Sequence, residues 1–193
     1  MRIIAGEFRG RKLLPPESGV TRPVTDRVKQ SLFDILTPNL LDAVVYDCFA
    51  GTGSMGLECL SRGAKNVTFF EADRSAATRL KKNIETLGVQ DRTTIIGGDL
   101  FKWFTNHAKD NADLIFLDPP YRFLREKPED LRALAARFQH HLNHDGIVVF
   151  RHDVADELAL PPLHVADLRT YGSMTLEFLT PMTTDHGQLT IDN

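Results

Sequence analysis

The chain has 193 residues, 42% of them hydrophobic and 25% charged, enough to bury one sizeable core and ordinary for a globular protein. No apolar run approaches the roughly 18 residues that cross a membrane, and the charges in MRIIAGEFRGRK interrupt any signal-peptide core, so the chain is expected in the cytoplasm. A net charge of −3 hides an uneven distribution: residues 1–30 hold seven Lys or Arg against three Asp or Glu, a net +4 that leaves −7 for the rest. Such an arm on an acidic body points to a polyanion rather than to a merely solvated surface. Phosphate neutralisation dominates nucleic-acid affinity, and Arg9, Arg11, Lys12, Arg22 and Arg27 are the candidate contacts.

In chain order, RIIAGE and RGRKLL suggest a hairpin within a basic arm covering residues 1–20, and a body extends from 21 to 180. TDRVKQSLFDIL reads as an amphipathic helix capped by Thr25, with Val28, Leu32, Ile35 and Leu36 on one face. Strands and helices then alternate: AVVYDCF, the helix SMGLECLSRG, NVTFFEAD, and a helix from about residue 75 with Ala77, Leu80, Ile84 and Leu87 inward. RTTIIGGD is the third strand, LFKWFTNH a short helix or turn, and DLIFLD the fourth strand. RFLREK comes next as a loop able to cover a site, with Arg122 and Phe123 as further candidate RNA contacts. PEDLRALAARFQHHL is a helix burying Leu131, Leu134, Phe138 and Leu142, and GIVVFRH the fifth strand. LHVADLRTYG and MTLEFLT, separated by Gly172 and Ser173, form an antiparallel hairpin, and residues 181–193 read as a polar tail. The pattern is α/β, a mostly parallel sheet covered by helices on both faces. Cys48 and Cys59 lie in apolar segments and read as core, His140, His141 and His144 as a helix end, and no metal is expected.

Ligands of such sheets collect at the carboxyl ends of the strands, so the residues just beyond each strand are the informative ones. DCFAGTGSMG places Gly51, Gly53 and Gly56 after the first strand, Glu71 stands after the second, Asp99 after the third and Asp118 after the fourth. The glycines match a dinucleotide fingerprint, but Asp47, four residues ahead of them, would sit badly beside a pyrophosphate. S-adenosylmethionine, with a sulfonium, an ammonium, a ribose diol and no phosphate, suits three acids at three strand ends. The alternative for Asp47 and Asp99 is that they cap helices or hold turns. In DPPY, Asp118 stands at the sheet edge, Pro119 and Pro120 keep the chain extended, and Tyr121 offers a stacking surface. A carboxylate and a backbone carbonyl there can accept from the two N–H groups of a nucleobase amine and stabilise charge developing on its nitrogen. Trp103 is a candidate adenine neighbour, though core packing is its commoner use.

DCFAGTGSMGLECLSRGA, FFEAD and DLIFLDPPY resemble the class I S-adenosylmethionine-dependent methyltransferases that act on exocyclic amines. RIIAGEFRGRKL and TRPVTDRVKQSLFDIL resemble, more narrowly, the bacterial RsmD family, which methylates guanine N2 in small-subunit ribosomal RNA. The resemblance covers residue 2 to about 180, although Val24 and Gln30 stand where the family more usually has threonine and glutamate. It implies a seven-stranded Rossmann-like sheet in the order 3-2-1-4-5-7-6. It further implies that Asp47, Phe49, Ala50, Gly51, Thr52 and Gly53 line the methionine half of the cofactor. Glu71 and Ala72 would hold the ribose, Asp99 and Leu100 the adenine, and Asp118, Pro119, Pro120 and Tyr121 the target base. The implied substrate is 16S rRNA in an assembled or assembling small subunit, with S-adenosylhomocysteine as product. Separately, no long apolar surface stripe demands a dimer, so a monomer without an obligate protein partner is expected. Two other functions stay open: an N6-adenine DNA or RNA methyltransferase using the same DPPY site, and a nucleic-acid-binding protein that has lost catalysis.

Overall fold

The computed structural model describes residues 1–17, 24–107 and 111–181. Arg22 and residues 182–193 of the tail lie outside the described residues, as does most of the stretch where arm and body were expected to meet. Seven strands form one sheet: β1 Val44–Cys48, β2 Asn66–Phe70, β3 Thr93–Ile96, β4 Ala112–Leu117, β5 Leu142–Asp153, β6 His164–Tyr171 and β7 Met174–Thr180. Their order is β3-β2-β1-β4-β5-β7-β6, parallel from β3 to β5 and antiparallel through β7 and β6, as the resemblance implied.

Apolar residues run continuously through the central strands because both faces are covered, so neighbours in sequence feed opposite layers. Val45, Leu114, Phe116 and Val149 enter a core with helices α1 (Asp26–Leu36), α2 (Ser54–Ser61) and α3 (Arg74–Leu87). Tyr46, Cys48, Ile115, Leu117, Val148 and Phe150 enter a second core with α4 (Leu100–Asn106), α5 (Tyr121–Glu126) and α6 (Pro128–His141). Helix α2 lies so close to β2 that a Cβ on Gly56 would come within 2.4 Å of the Phe69 ring.

Thr25 caps α1, its hydroxyl accepting from Val28 N at 3.4 Å. The face α1 buries differs from the expected one: Lys29, Leu32, Phe33 and Leu36 are buried, while Val28 and Ile35 pack at its margin. A buried lysine in that stripe reads from sequence as solvated, and only its tertiary partner explains it. RFLREK, expected as a loop, is helical from Arg122 to Glu126 within α5, with Lys127 as its C-cap; six residues are too few for a periodic signal. Leu142, expected in α6, ends that helix and opens β5, which runs four residues further back than GIVVFRH suggests. Trp103, partly buried, packs edge-on against Tyr46 and Phe70 at the margin of the second core.

The arm is seated on the body rather than projecting from it. Its expected hairpin reduces to one antiparallel bridge between Arg2 and Lys12, with Ile3 and Leu13 buried in the first core. Amides of Ile4 and Ala5 donate to the Glu58 carboxylate at 2.9 and 3.0 Å. Gly6, at φ +80°, passes so close to α2 that a Cβ would meet the Ser61 carbonyl oxygen at 1.8 Å. That position demands glycine twice over, by conformation and by space.

Candidate active site

Strand register builds the site. Ile96 pairs with Phe70, Phe70 with Cys48, Cys48 with Leu117 and Leu117 with Phe150, so these five residues form one level at the carboxyl end of the sheet. One step further along each strand stand Gly97, Glu71, Phe49, Asp118 and Arg151. Four of the five leave regular strand there; Glu71 N still donates to Ile96 O at 3.1 Å and Asp118 N to Cys48 O at 3.5 Å, so their side chains rather than their amides are left for a ligand.

The turn after β1 is wound tightly by its own backbone. Ala50 N donates to Phe70 O at 3.0 Å, Gly53 N to Ala50 O at 2.8 Å, and Gly53 at φ +81° forms the N-cap of α2. A residue with a Cβ at Gly53 would strain the backbone and strike Leu80 at 2.4 Å. Phe49 takes φ +62°, unusual for a residue of its size, and its ring meets Phe101 and Phe123 edge-on at 6.2 and 5.7 Å. This aromatic corner joins the turn after β1, the start of α4 and the helix beyond DPPY. The turn is also tied to α3 and the arm by the buried Asn83, whose amide donates to Thr52 O at 3.0 Å and accepts from Leu14 N at 2.7 Å.

Glu71 accepts from Gly51 N at 2.6 Å and Asp73 N at 2.7 Å, so one carboxylate fixes the glycine turn and the entry to α3; burial pushes it above its ordinary range. Ala72 beside it is exposed. Asp47 shares the α1–α3 face with Val45 and accepts from Gly56 N at 2.9 Å. Burial first, then the nearby Asp118 and Glu71, push its carboxyl up to about 8 against the opposing Gly56 bond. Asp99 is exposed and caps α4, accepting from Phe101 N at 3.0 Å and Lys102 N at 3.4 Å, while Leu100 is buried. Both acids therefore do cap helices, the alternative set against ligand binding; Asp47 is buried in β1 two residues before the edge level and Asp99 stands two residues beyond it.

Among the turn residues 47–53 and residues 71, 72, 99 and 100, none is basic and three are acidic. Lys29 does reach Ser54 Oγ at 3.2 Å in the first turn of α2, but its charge is matched by Glu58 at 2.9 Å. This donor set suits a cationic ligand bearing hydroxyls and does not suit a pyrophosphate. S-adenosylmethionine fits it.

Asp118 is a quarter exposed, Pro119 is buried, and Pro120 is extended at φ −53°, ψ 133° before α5 begins. Tyr121 is 37% exposed and stands at the open side. Arg151 of β5 was missed from sequence, where it reads as the polar end of a strand. Its Nε donates to Asp118 Oδ1 at 2.7 Å. Arg9, Arg11, Lys12, Arg27 and Arg122 are all exposed, and Phe123 is half-buried under the Lys127 ammonium at 5.0 Å.

The family model described as Conserved hypothetical protein 95 matches residues 1–180. The ribosomal RNA small subunit methyltransferase D of Escherichia coli K12 is 41% identical over 122 residues, 63% of this chain and 61% of that protein. The matched segment thus spans about three fifths of that relative's length. YlbH of Bacillus subtilis is 36% identical over 179 residues, 89% of this chain and 94% of its own. Among solved structures, yhhF from Escherichia coli superposes with a TM-score of 0.80 at 30% identity, covering 95% of this chain and 98% of that one. HI0767 from Haemophilus influenzae gives 0.74 at 32% identity, covering 94% and 98%. Its glycine turn, its DPPY edge and its arm all lying within the matched span, the chain belongs to the Conserved hypothetical protein 95 family, the RsmD family.

Proposed function

We propose that this chain transfers a methyl group from S-adenosylmethionine to the exocyclic N2 amine of a guanine in 16S rRNA, acting in the cytoplasm on the small ribosomal subunit. The observation that carries the reading is the level of the sheet at which Glu71, Phe49 and Asp118 stand one strand apart: a cation-suited turn borders a carboxylate flanked by prolines. Relatives from Escherichia coli and Haemophilus influenzae bear the name ribosomal RNA small subunit methyltransferase D, which supports the same substrate.

Asp47 and residues 49–53 hold the methionine half of the cofactor, Glu71 and Ala72 the ribose, and Asp99 and Leu100 the adenine end. The bound cofactor supplies an electrophilic methyl on a sulfonium. Asp118 and the carbonyl of Pro119 accept from the two N–H groups of the target amine, orient its nitrogen and offset the positive charge that grows there. Tyr121 stacks on the base, a contribution of roughly 1–3 kcal/mol that offsets its extrusion from neighbouring bases. Arg9, Arg11, Lys12, Arg22, Arg27 and Arg122 meet phosphates.

Purified chain is incubated with tritiated S-adenosylmethionine and undermodified small subunits, naked 16S rRNA or DNA, and the products are digested to nucleosides. N2-methylguanosine from the RNA is the expected product, and Asp118→Ala lowers its formation by on the order of 10²–10³-fold while the variant still binds cofactor. N6-methyladenine in DNA as the sole product would replace this reading with the adenine one.

A further inference from the structure

Asp118 differs from Asp73 and Asp99 in where its donors can come from. Asp73 and Asp99 are held by amides two and three residues ahead: Ala76 N for the first, Phe101 N and Lys102 N for the second. Prolines at 119 and 120 remove the first two amides after Asp118, leaving only the third, Tyr121 N, and the carboxylate takes the Arg151 Nε as a donor at 2.7 Å. Resting on the methyltransferase reading above, we propose that Arg151 is the positioning residue for Asp118, fixing the direction of the carboxylate and keeping it ionised to receive the amine.

Leu117 pairs with Phe150, which brings residues 118 and 151 side by side. Arg151 is still inside β5, one residue beyond the end of the β4 ladder, and pairs on its other side with Leu176 of β7, which holds its backbone. The guanidinium Nε lies 2.7 Å from Asp118 Oδ1, with the two side chains 11% and 25% exposed, and Nη1 rests 3.9 Å from the Met174 sulfur. A charge-assisted bond between two rigidly supported groups, largely shielded from water, sets an angle as well as an energy.

Asp47 from β1 and Tyr121 from α5 face this pair, and each member of the pair acts on the other. Burial pushes the Asp118 carboxyl up and Arg151 draws it back. Loss of the arginine would leave the acid facing burial alone. Asp118 would then take up a proton at a higher pH and fail as an acceptor of both N–H groups.

The test uses the full chain with Arg151→Met, Arg151→Lys and, as reference, Asp118→Asn. Three quantities are measured: kcat and KM for RNA across pH, the dissociation constant for S-adenosylmethionine, and the Asp118 carboxyl titration by carbon NMR without substrate. Thermal unfolding confirms that each variant is folded. In Arg151→Met, kcat falls about 10- to 100-fold with cofactor affinity within twofold, and both the acidic limb of the rate profile and the NMR titration move to higher pH. Arg151→Lys returns the limb toward its original place because the charge is kept, yet recovers only part of kcat because the fork is lost. An unmoved titration and limb in folded Arg151→Met overturns the assignment. Should wild-type chain methylate no RNA, the function above falls instead, and the NMR titration alone still decides whether Arg151 governs Asp118. Where Arg151→Met does not fold, Arg151→Lys decides: wild-type kcat in that variant overturns the proposal.

Discussion

The Lys29 ammonium lies 2.9 Å from the Glu58 carboxylate, and neither side chain is more than 3% exposed. Burial lowers the Lys29 proton affinity and Glu58 offsets only part of that, while Glu58 also accepts from Arg62 Nε at 2.9 Å and from the two arm amides. The carboxylate is the centre, with four donors, and the lysine is one of them. Glu58→Gln is therefore expected to cost about 3–5 kcal/mol by stranding a buried cation. Lys29→Met should cost less, since three donors to Glu58 remain. Urea unfolding of both variants checks the order, and the reverse order would show that the lysine is the centre.

The buried Asp47 predicts how cofactor affinity depends on pH. Its carboxyl is raised from 3.8 to about 8, first by burial and then by Asp118 and Glu71. Between those values the folded chain holds a proton that the unfolded chain has released, so this group's contribution to stability falls as pH rises through the window. A cationic ligand favours the ionised form, so binding below about pH 8 expels a proton and affinity climbs with pH by up to about tenfold per unit. Isothermal titration in two buffers of different ionisation enthalpy measures the proton released. In Asp47→Asn the dependence should flatten.

The exposed cations of the arm predict the salt dependence of RNA binding. Replacing Arg9, Arg11 and Lys12 together by alanine removes up to three phosphate contacts. The slope of log K against log salt should shallow by about 2, at roughly 0.7 for each single-strand phosphate. Filter binding across a salt series measures it. Unchanged slope would place the RNA elsewhere on the surface.

Tyr121 is 37% exposed, and in the proposed stacking role its contribution would come through its ring face. Tyr121→Ala should weaken RNA substrate by about 1–3 kcal/mol, seen in kcat/KM, whereas Tyr121→Phe should stay near wild type. Equal losses in both variants would assign the effect to the hydroxyl instead.

The strands and the final hairpin were legible because apolar strands alternate with amphipathic helices, and because Gly172 and Ser173 mark a turn; the order of the strands was not, and came only from the family resemblance. The glycine turn and DPPY could be placed for the same reason: each comes directly after a strand. What the sequence concealed depends on partners far along the chain. Lys29 and Glu58 look like solvated charges until the arm and α2 close over them, and Arg151 looks like the ragged end of GIVVFRH until register sets it beside Asp118. Asp47 and Asp99 were placed correctly at strand ends, but their bonds to Gly56 N, Phe101 N and Lys102 N depend on where each helix starts.

The seating of the arm carries a kinetic consequence. Residues 9–12 are presented by a segment whose neighbours Ile3 and Leu13 are already buried, so a nucleic acid meeting them requires little further ordering of the chain. Encounter should then be fast and limited by diffusion and charge, with a small heat-capacity change, unlike an unstructured basic tail that must fold as it binds.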